Sequence, residues 1–252
     1  MTQTMKQEEQ GTKPYCRGCL AEVSKKIGEK DKYDLLRCEN CGTVVVDPWP
    51  TVEELNAHYQ NYFKTGDYMR KRTSKLRRSR KRVMRMINMK PPGKRFLDIG
   101  CSVGFMIQAA HDCGLEALGI DIDGTALEIA EKEFGDAGTY QQISAEELAE
   151  TGIQFDMIYA NDVIEHVPDP ESFVAAVSKL LSPGGVFYVT APDGARPLVP
   201  KDFASWGMVI PPDHLTYFSR KGMRQLLERH DLRVKKFQLS IKPGMKVLAT
   251  TA

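Results

Sequence analysis

Residues 94–252 alternate short apolar runs with amphipathic stretches. Short runs of aliphatic, β-branched and aromatic residues bounded by Gly, Pro or Asp read as strands. Longer stretches with apolar residues every three or four positions read as helices. The pattern predicts strands over 95–99, 116–120, 139–143, 155–160 and 185–190. Helices are predicted over 105–113, 124–134, 146–150, 170–181 and 220–230, the last with Ser219 as its N-cap. Strand–helix alternation with right-handed crossovers gives a parallel sheet covered on both faces. Runs 232–239 and 245–250 form a final pair joined by a Pro243-Gly244 turn, hence antiparallel. The expected fold class is α/β: a doubly wound, mostly parallel sheet with an antiparallel last strand.

The upstream chain has a different texture. Residues 1–13 are a polar tail, 14–48 carry two Cys pairs among short strands and turns, and 49–93 read as helices. The expected organisation is a ribbon over 14–48, a helical linker over 49–93 and the main domain over 94–252. Of the 252 residues 42% are hydrophobic and 27% charged, an ordinary globular balance. No apolar run reaches the roughly 20 residues of a membrane span, and the N-terminus lacks the apolar stretch of a secretory signal. A cytoplasmic setting, where thiols stay reduced, is expected. Nothing in the sequence sets an oligomeric state.

In that setting paired cysteines argue for metal. Cys16-Arg-Gly-Cys19 and Cys38-Glu-Asn-Cys41 stand 18 residues apart. Two residues between thiolates let one tight turn present both sulfurs to one ion, and two such turns complete a tetrahedral four-sulfur zinc site with no open position. The expected Zn2+ is structural. Gly42 follows the second pair where a left-handed backbone is needed, and Leu20 stands at the same place after the first. The remaining cysteines, Cys101 and Cys113, read as core residues.

The densest signal is the run Phe96-Leu97-Asp98-Ile99-Gly100-Cys101-Ser102-Val103-Gly104-Phe105. A buried strand ends in a glycine-containing turn that opens a helix, and Asp121 closes the next strand 21 residues after Gly100. That is close to the ~20 expected of an acid that binds ribose hydroxyls, so a nucleoside-containing ligand is expected here. A dinucleotide site would need a third glycine, which is missing.

The run resembles the glycine-rich first motif of class I S-adenosylmethionine-dependent methyltransferases, with Asp98, Gly100 and Gly104 matching and Ser102 in place of the middle glycine. The resemblance runs through 94–252. Gly119-Ile120-Asp121-Ile122-Asp123 is similar to the second motif, which implies Asp121 on the ribose and Ile122 beside the adenine. Ser144-Ala145-Glu146 falls where the family contacts the adenine edge. Phe155-Asp156-Met157-Ile158 and Asn161-Asp162-Val163-Ile164-Glu165-His166-Val167 resemble the fourth motif and its loop. Pro212-Asp213-His214-Leu215-Thr216-Tyr217-Phe218-Ser219 resembles a late signature of the branch with small-molecule or sugar-type acceptors. The resemblance implies a Rossmann-like methyltransferase sheet and S-adenosyl-L-methionine as cofactor. It implies cofactor-binding residues Asp98, Gly100, Cys101, Ser102, Gly104, Phe105, Asp121, Ile122, Ser144, Ala145, Glu146, Asn161 and Asp162.

Methyl transfer from a sulfonium is an in-line displacement, so a protein mainly positions the reactants. A base is needed only where the acceptor loses a proton, and His214 and His166 are the candidates. Trp206 and Tyr217 are candidates to line the acceptor site. No Asn/Asp-Pro-Pro-Tyr/Phe stretch follows the fourth strand, which argues against methylation of a planar amide or adenine nitrogen. Segment 70–85 holds ten Arg and Lys, with Leu76, Val83, Met84, Met86 and Ile87 as its apolar stripe. It reads as a solvated helix face or as an attractor for an anionic partner. Three functions follow from these features. The first is methylation of a small or carrier-linked anionic metabolite, such as a sugar-type intermediate, supported by His214 and by Tyr59, Tyr62, Phe63 and Tyr68. The second is RNA methylation, with ribbon and basic helix on nucleic acid. The third is a non-catalytic cofactor-binding module.

Overall fold

The computed structural model describes residues 14–51, 53–55, 69, 71–238 and 244–251. The polar tail, Tyr59, Tyr62, Phe63, Tyr68, Arg70, Leu239 and Pro243 lie outside the described residues. Among those described, no helix is long and apolar enough to cross a membrane.

Three strands come first: β1 (Lys25–Lys30), β2 (Tyr33–Arg37) and β3 (Val44–Asp47). Helix α1 spans Arg72–Ile87. The main domain then runs β4 (Arg95–Ile99), α2 (Phe105–His111), β5 (Glu116–Asp121), α3 (Gly124–Phe134), β6 (Thr139–Gln142), α4 (Ala145–Ala149), β7 (Phe155–Asn161), α5 (Pro170–Leu180) and β8 (Leu181–Pro192). A long connection carries the two-residue β9 (Thr216–Tyr217), followed by α6 (Arg220–Arg229), β10 (Leu232–Phe237) and β11 (Gly244–Thr251).

The large sheet has the order β10-β11-β8-β7-β4-β5-β6. Its β8-β7-β4-β5-β6 block is parallel, and β11 pairs antiparallel with both β8 and β10. The α/β class, the mostly parallel sheet and the antiparallel last strand all match expectation. β11 is inserted between β8 and β10 instead of lying at the rim. Strand β8 starts at Leu181, four residues before the predicted 185, because Leu181 already pairs with Phe155 before a register shift. Helix α2 stops at His111, where 113 was predicted, and Gly114 supplies the left-handed residue after it.

Asp156 anchors the lower end of the sheet. Its carboxylate accepts the Arg95 N–H at 2.9 Å and the Ser182 hydroxyl at 3.0 Å, tying β4, β7 and β8 together at a site only 6% exposed. Helix α1 covers one face through Val83 and Met86, which pack with Phe96, Met157, Tyr159 and Tyr188. Its stripe differs from the expected one: Ser79, Val83 and Met86 are buried, whereas Met84 is 46% exposed. Residues 79, 83 and 86 follow the i, i+4, i+7 spacing of one helix face, and 84 falls off it.

The small sheet has the order β1-β2-β3-β9, so its fourth strand comes from the long connection after β8. Val44 pairs with Tyr217 and Val45 with Thr216. The ribbon also sits on the head of α6. Ser219 caps that helix by accepting the Gly222 N–H, and its hydroxyl donates to the Cys41 carbonyl at 2.6 Å. Gly18 and Gly222 meet face to face: a Cβ on Gly18 would stand 2.9 Å from Gly222 Cα, and one on Gly222 would stand 2.1 Å from Thr43 Oγ1. Arg229 completes the seam by donating to the Gly18 carbonyl at 2.9 Å.

Replacing Asp156 with Ala leaves the Ser182 hydroxyl without its acceptor in a buried place and removes the partner of the Arg95 N–H. Each such orphan costs about 1–3 kcal/mol. Thermal unfolding of Asp156→Ala is expected to show a midpoint lower by several degrees.

Candidate functional site

The glycine turn after β4 has the geometry its sequence demands. Gly100, Ser102 and Gly104 adopt φ of +70°, +48° and +82°. Ser102 thus takes a left-handed backbone at the position where the resembling motif carries glycine. Gly100 lies against Val163, since a Cβ there would come within 2.5 Å of Val163 Cγ2. Gly104 serves helix packing: its side faces Tyr140, Ala130 and Phe134.

Asp121, at the end of β5, reaches back across this turn. Its Oδ2 accepts the Ser102 N–H at 2.8 Å and its Oδ1 the Asp123 N–H at 3.0 Å. Burial pushes its carboxyl above the ordinary value despite those two bonds. A carboxylate offers about four lone-pair sites, so two bonds leave capacity for hydroxyls of a ligand. Ile122 next to it is 62% exposed, a large apolar side chain held in solvent beside the crevice. A flat aromatic ligand would cover it. Asp98 is buried in the strand below, its carboxyl driven well above the carboxylate range first by burial and then by the charge of Asp121.

The other expected contacts are placed less directly. Cys101 is buried beside Gly119. Phe105 turns away to pack on Phe134, with ring centroids 5.4 Å apart. Ser144 spends its hydroxyl and its N–H in a capping box with Glu147. Ala145 is buried in the main core, and Glu146 is half-buried with its carboxyl raised by desolvation.

A polar network lies at the end of β7. Arg82 from α1 donates to the Tyr159 hydroxyl at 2.6 Å, and that hydroxyl donates to Asn161 Oδ1 at 2.9 Å. Asn161 Nδ2 donates to Asp162 Oδ2 at 2.8 Å, and the Thr190 hydroxyl lies 2.9 Å from Asp162 Oδ1. Asn161 and Asp162 were expected here. Arg82 and Thr190 were not, because one cation among ten carries no distinguishing pattern and a threonine ending a strand is ordinary.

Beside this network stand His166 and His214, edge to face with centroids 4.6 Å apart. The two rings have opposite surroundings. His166 Nδ1 lies 2.8 Å from the Asp213 carbonyl and 3.2 Å from Asp213 Oδ1. Burial pulls its pKa down, but the hydrogen bonds and charge of Asp213 outweigh burial and leave it above the ordinary value. His214 is 4% exposed, and its Nδ1 lies 2.8 Å from the Met208 carbonyl. Burial and the neighbouring His166 push its pKa down to about 4. Asp213 was within reach of the sequence reading as the neighbour of His214, but its partner is 47 residues upstream. Trp206 and Tyr217 fall in the hydrophobic cluster of the small sheet with Phe203, so packing accounts for both.

Glu165 is fully buried, and neither carboxylate oxygen has a hydrogen-bond partner. Desolvation raises its pKa to about 8, so it is neutral in most of the physiological range. Its backbone carbonyl accepts the Leu215 and Thr216 N–H groups at 2.8 and 3.3 Å, stitching the loop after β7 to the strand that enters the small sheet.

The four ribbon sulfurs converge. Cys16 and Cys41 Sγ are 3.4 Å apart, as are Cys19 and Cys38 Sγ, and all four lie within 4.8 Å of one another. Disulfides need about 2.05 Å, so these are free thiols, spaced for a tetrahedral ion with Zn–S near 2.3 Å. The two turns are twins: Leu20 N–H donates to the Cys16 carbonyl and Gly42 N–H to the Cys38 carbonyl, each at 2.8 Å, and both residues are left-handed. The set fits a zinc ion.

A methyltransferase-domain family model matches residues 68–236, about two thirds of the chain. The ubiquinone biosynthesis O-methyltransferase of Methylococcus capsulatus is 36% identical over 148 residues, covering 52% of this chain and 62% of that protein. The protein of the same name from Burkholderia thailandensis is 35% identical over 156 residues, covering 54% and 67%. The chain thus spans only about three fifths of the Methylococcus relative's length. Among solved structures, the magnesium protoporphyrin IX methyltransferase of Synechocystis PCC 6803, with SAH bound, superposes with a TM-score of 0.57 at 13% identity. That likeness covers 79% of this chain and 94% of the other, and shows a shared fold.

Glu165 generates a pH prediction. Its folded pKa lies above the unfolded one, so the folded state holds the proton more tightly and its stabilising contribution is lost as pH rises from about 5 to 8. Glu165→Gln keeps the neutral form at every pH. Its unfolding midpoint relative to the parent is expected to climb by several degrees between pH 5 and pH 8, read by circular dichroism.

Proposed function

Given that the chain belongs to the methyltransferase-domain family, we propose that it transfers the methyl group of S-adenosyl-L-methionine to a hydroxyl of a small or carrier-linked acceptor of the sugar or quinone-precursor kind. The single observation that carries this reading is the His166–Asp213 pair standing beside the Asn161–Asp162 corner of β7. The relatives named as O-methyltransferases support oxygen as the acceptor atom.

When bound, the cofactor supplies a methyl group already activated as a sulfonium. Asp121 holds the ribose hydroxyls with the lone pairs left over from Ser102 and Asp123. Ile122 and the Ser144-to-Glu146 turn would flank the adenine. Asn161 and Asp162, braced by Thr190 and by Arg82 through Tyr159, close the floor where the acceptor meets the cofactor.

His166 is the base. Nδ1 turned toward Asp213 fixes the tautomer and leaves the Nε2 lone pair to accept the acceptor hydroxyl's proton. The resulting imidazolium is stabilised by the Asp213 carboxylate. His214, dry and held to the Met208 carbonyl, braces the His166 ring edge-on. The ribbon holds one structural Zn2+ through Cys16, Cys19, Cys38 and Cys41. Three of the eight Arg and Lys of α1 are engaged within the fold, Arg72 on Glu133, Arg80 on Asp112 and Arg82 on Tyr159. That favours a small acceptor over RNA. The free thiols fit a cytoplasmic setting.

Three outcomes check this reading. Asp121→Ala is expected to weaken S-adenosylhomocysteine binding at least tenfold in calorimetry. His166→Gln is expected to lower kcat about 10²-fold or more with cofactor affinity unchanged, and to remove an acidic limb of the parent pH–rate profile that titrates above 6.5. Elemental analysis is expected to find one zinc per chain, and Cys38→Ser to lose it together with cooperative unfolding of the ribbon.

A further inference from the structure

The loop after β7 and the long connection after β8 bring three metal-ligating side chains together: Glu165, His166 and His214. One ligand atom of each lies within 4.8 Å of the other two. This group is distinct from the four ribbon sulfurs. His166 keeps 19% of its side chain exposed, so the cluster has an opening toward solvent.

Each of the three is prepared for an ion. Glu165 is fully buried, and neither of its oxygens has a hydrogen-bond partner. Folded proteins give a buried carboxylate hydrogen bonds, a counter-charge or a metal, because a bare one is costly. Both histidines are tied at Nδ1, His214 to the Met208 carbonyl and His166 to Asp213. A ring that donates its Nδ1–H to a carbonyl or carboxylate keeps its lone pair on Nε2, and metal-ligating histidines regularly carry that outer contact. The surroundings favour a cation as well. Asp162 and Asp213 act on Glu165 as like charges, and the cation that opposes them is His166, itself one of the three.

Two imidazoles and one carboxylate suit first-row divalent transition ions. They suit Mg2+ and Ca2+ poorly, since those ions prefer oxygen ligands. Bonds of about 2.0–2.2 Å set ligand atoms roughly 3–3.5 Å apart around one ion, so the cluster has to contract by no more than about 1–2 Å. Three protein ligands leave a position open for water or another oxygen. We propose that Glu165, His166 and His214 form a second metal site that takes one exchangeable divalent transition-metal ion such as Zn2+, Co2+ or Fe2+. Three ligands, one of them a carboxylate in a dry place, hold the ion more weakly than the four ribbon thiolates. Dialysis therefore removes it and leaves the ribbon ion. The site stands on its own geometry, and its consequence for the reaction rests on the methyl-transfer reading. An ion on His166 Nε2 occupies the lone pair that accepts the acceptor hydroxyl's proton, so the occupied chain has no base there.

Titration of Co2+ into the full, dialysed chain, with its ribbon zinc in place, tests the site. One further equivalent is expected to bind, with visible d–d absorption and without the sulfur-to-metal charge transfer of a thiolate site. Mg2+ titrated in parallel is expected to bind at least tenfold more weakly. Glu165→Gln and His214→Gln are each expected to lose at least tenfold in Co2+ affinity and to keep the ribbon zinc. Glu165→Gln, which keeps the shape of the side chain, carries the test alone should His214→Gln disturb folding. In the chain labelled with 15N-histidine, Zn2+ is expected to move the Nε2 signals of His166 and His214 and to leave those of His111 and His230 in place. Absence of a further equivalent, or one that the folded variants retain in full, overturns the site and leaves the methyl-transfer reading intact. A bound ion that moves His214 and not His166 overturns the exclusion of the base. Failure of the same preparation to bind S-adenosylhomocysteine overturns the methyl-transfer reading and leaves the metal site standing.

Discussion

The histidine pair, the loop after β7, the ribbon and the head of α6 are held together through one short stretch of backbone, residues 213–219. On one side, β9 pairs with β3 of the ribbon. On the other, Leu215 and Thr216 donate to the carbonyl of Glu165. The same stretch starts with Asp213, which orients His166, and ends with Ser219, which caps α6 and bonds the Cys41 carbonyl. The cysteine knuckle, the small sheet, the loop after β7 and the histidine pair are thereby one mechanical unit. A ribbon that looks like an appendage in the chain order is joined in space to the strand that follows the Asp213–His214 loop.

The close seam between ribbon and α6 depends on the absence of side chains. Gly18 and Gly222 approach within a distance that no Cβ tolerates, and Thr43 occupies the space beside them. Ser219 then serves two purposes at once, accepting the Gly222 N–H and donating to Cys41. Hydrogen bonds satisfied across such a seam carry little net energy each, but leaving them unmade in a buried place is costly. That asymmetry keeps the ribbon in one position.

The site's electrostatics come mostly from burial acting on groups with unequal partners. His214 and Glu165 are both dry, and both are driven toward their neutral forms. His166 is nearly as buried, yet Asp213 beside it reverses the sign. Two adjacent histidines thus acquire different protonation behaviour from one carboxylate and one carbonyl. The cations of α1 show the same economy. Arg82 reaches Asn161 through Tyr159, while Arg72 and Arg80 are drawn off by acids on α3 and α2.

The strands, the glycine turn, Asp121 and the cysteine knuckles were legible in the chain because each rests on local chemistry. A strand needs a short apolar run, a left-handed turn needs glycine or a small residue, and a pair of thiols needs two residues between them. These requirements are met within about twenty residues, so spacing alone carries them. The insertion of β11 between β8 and β10, the β3–β9 pairing, the pairing of His166 with Asp213 and the selection of Arg82 from ten similar cations were decided only by tertiary structure. Each joins residues from 47 to more than 170 positions apart, and no local pattern records which distant surface a side chain will meet. Burial is likewise a property of the packed whole. It acts on both histidines, the Asp213 carboxylate reverses its effect on His166 alone, and a sequence shows both only as histidines near the ends of loops.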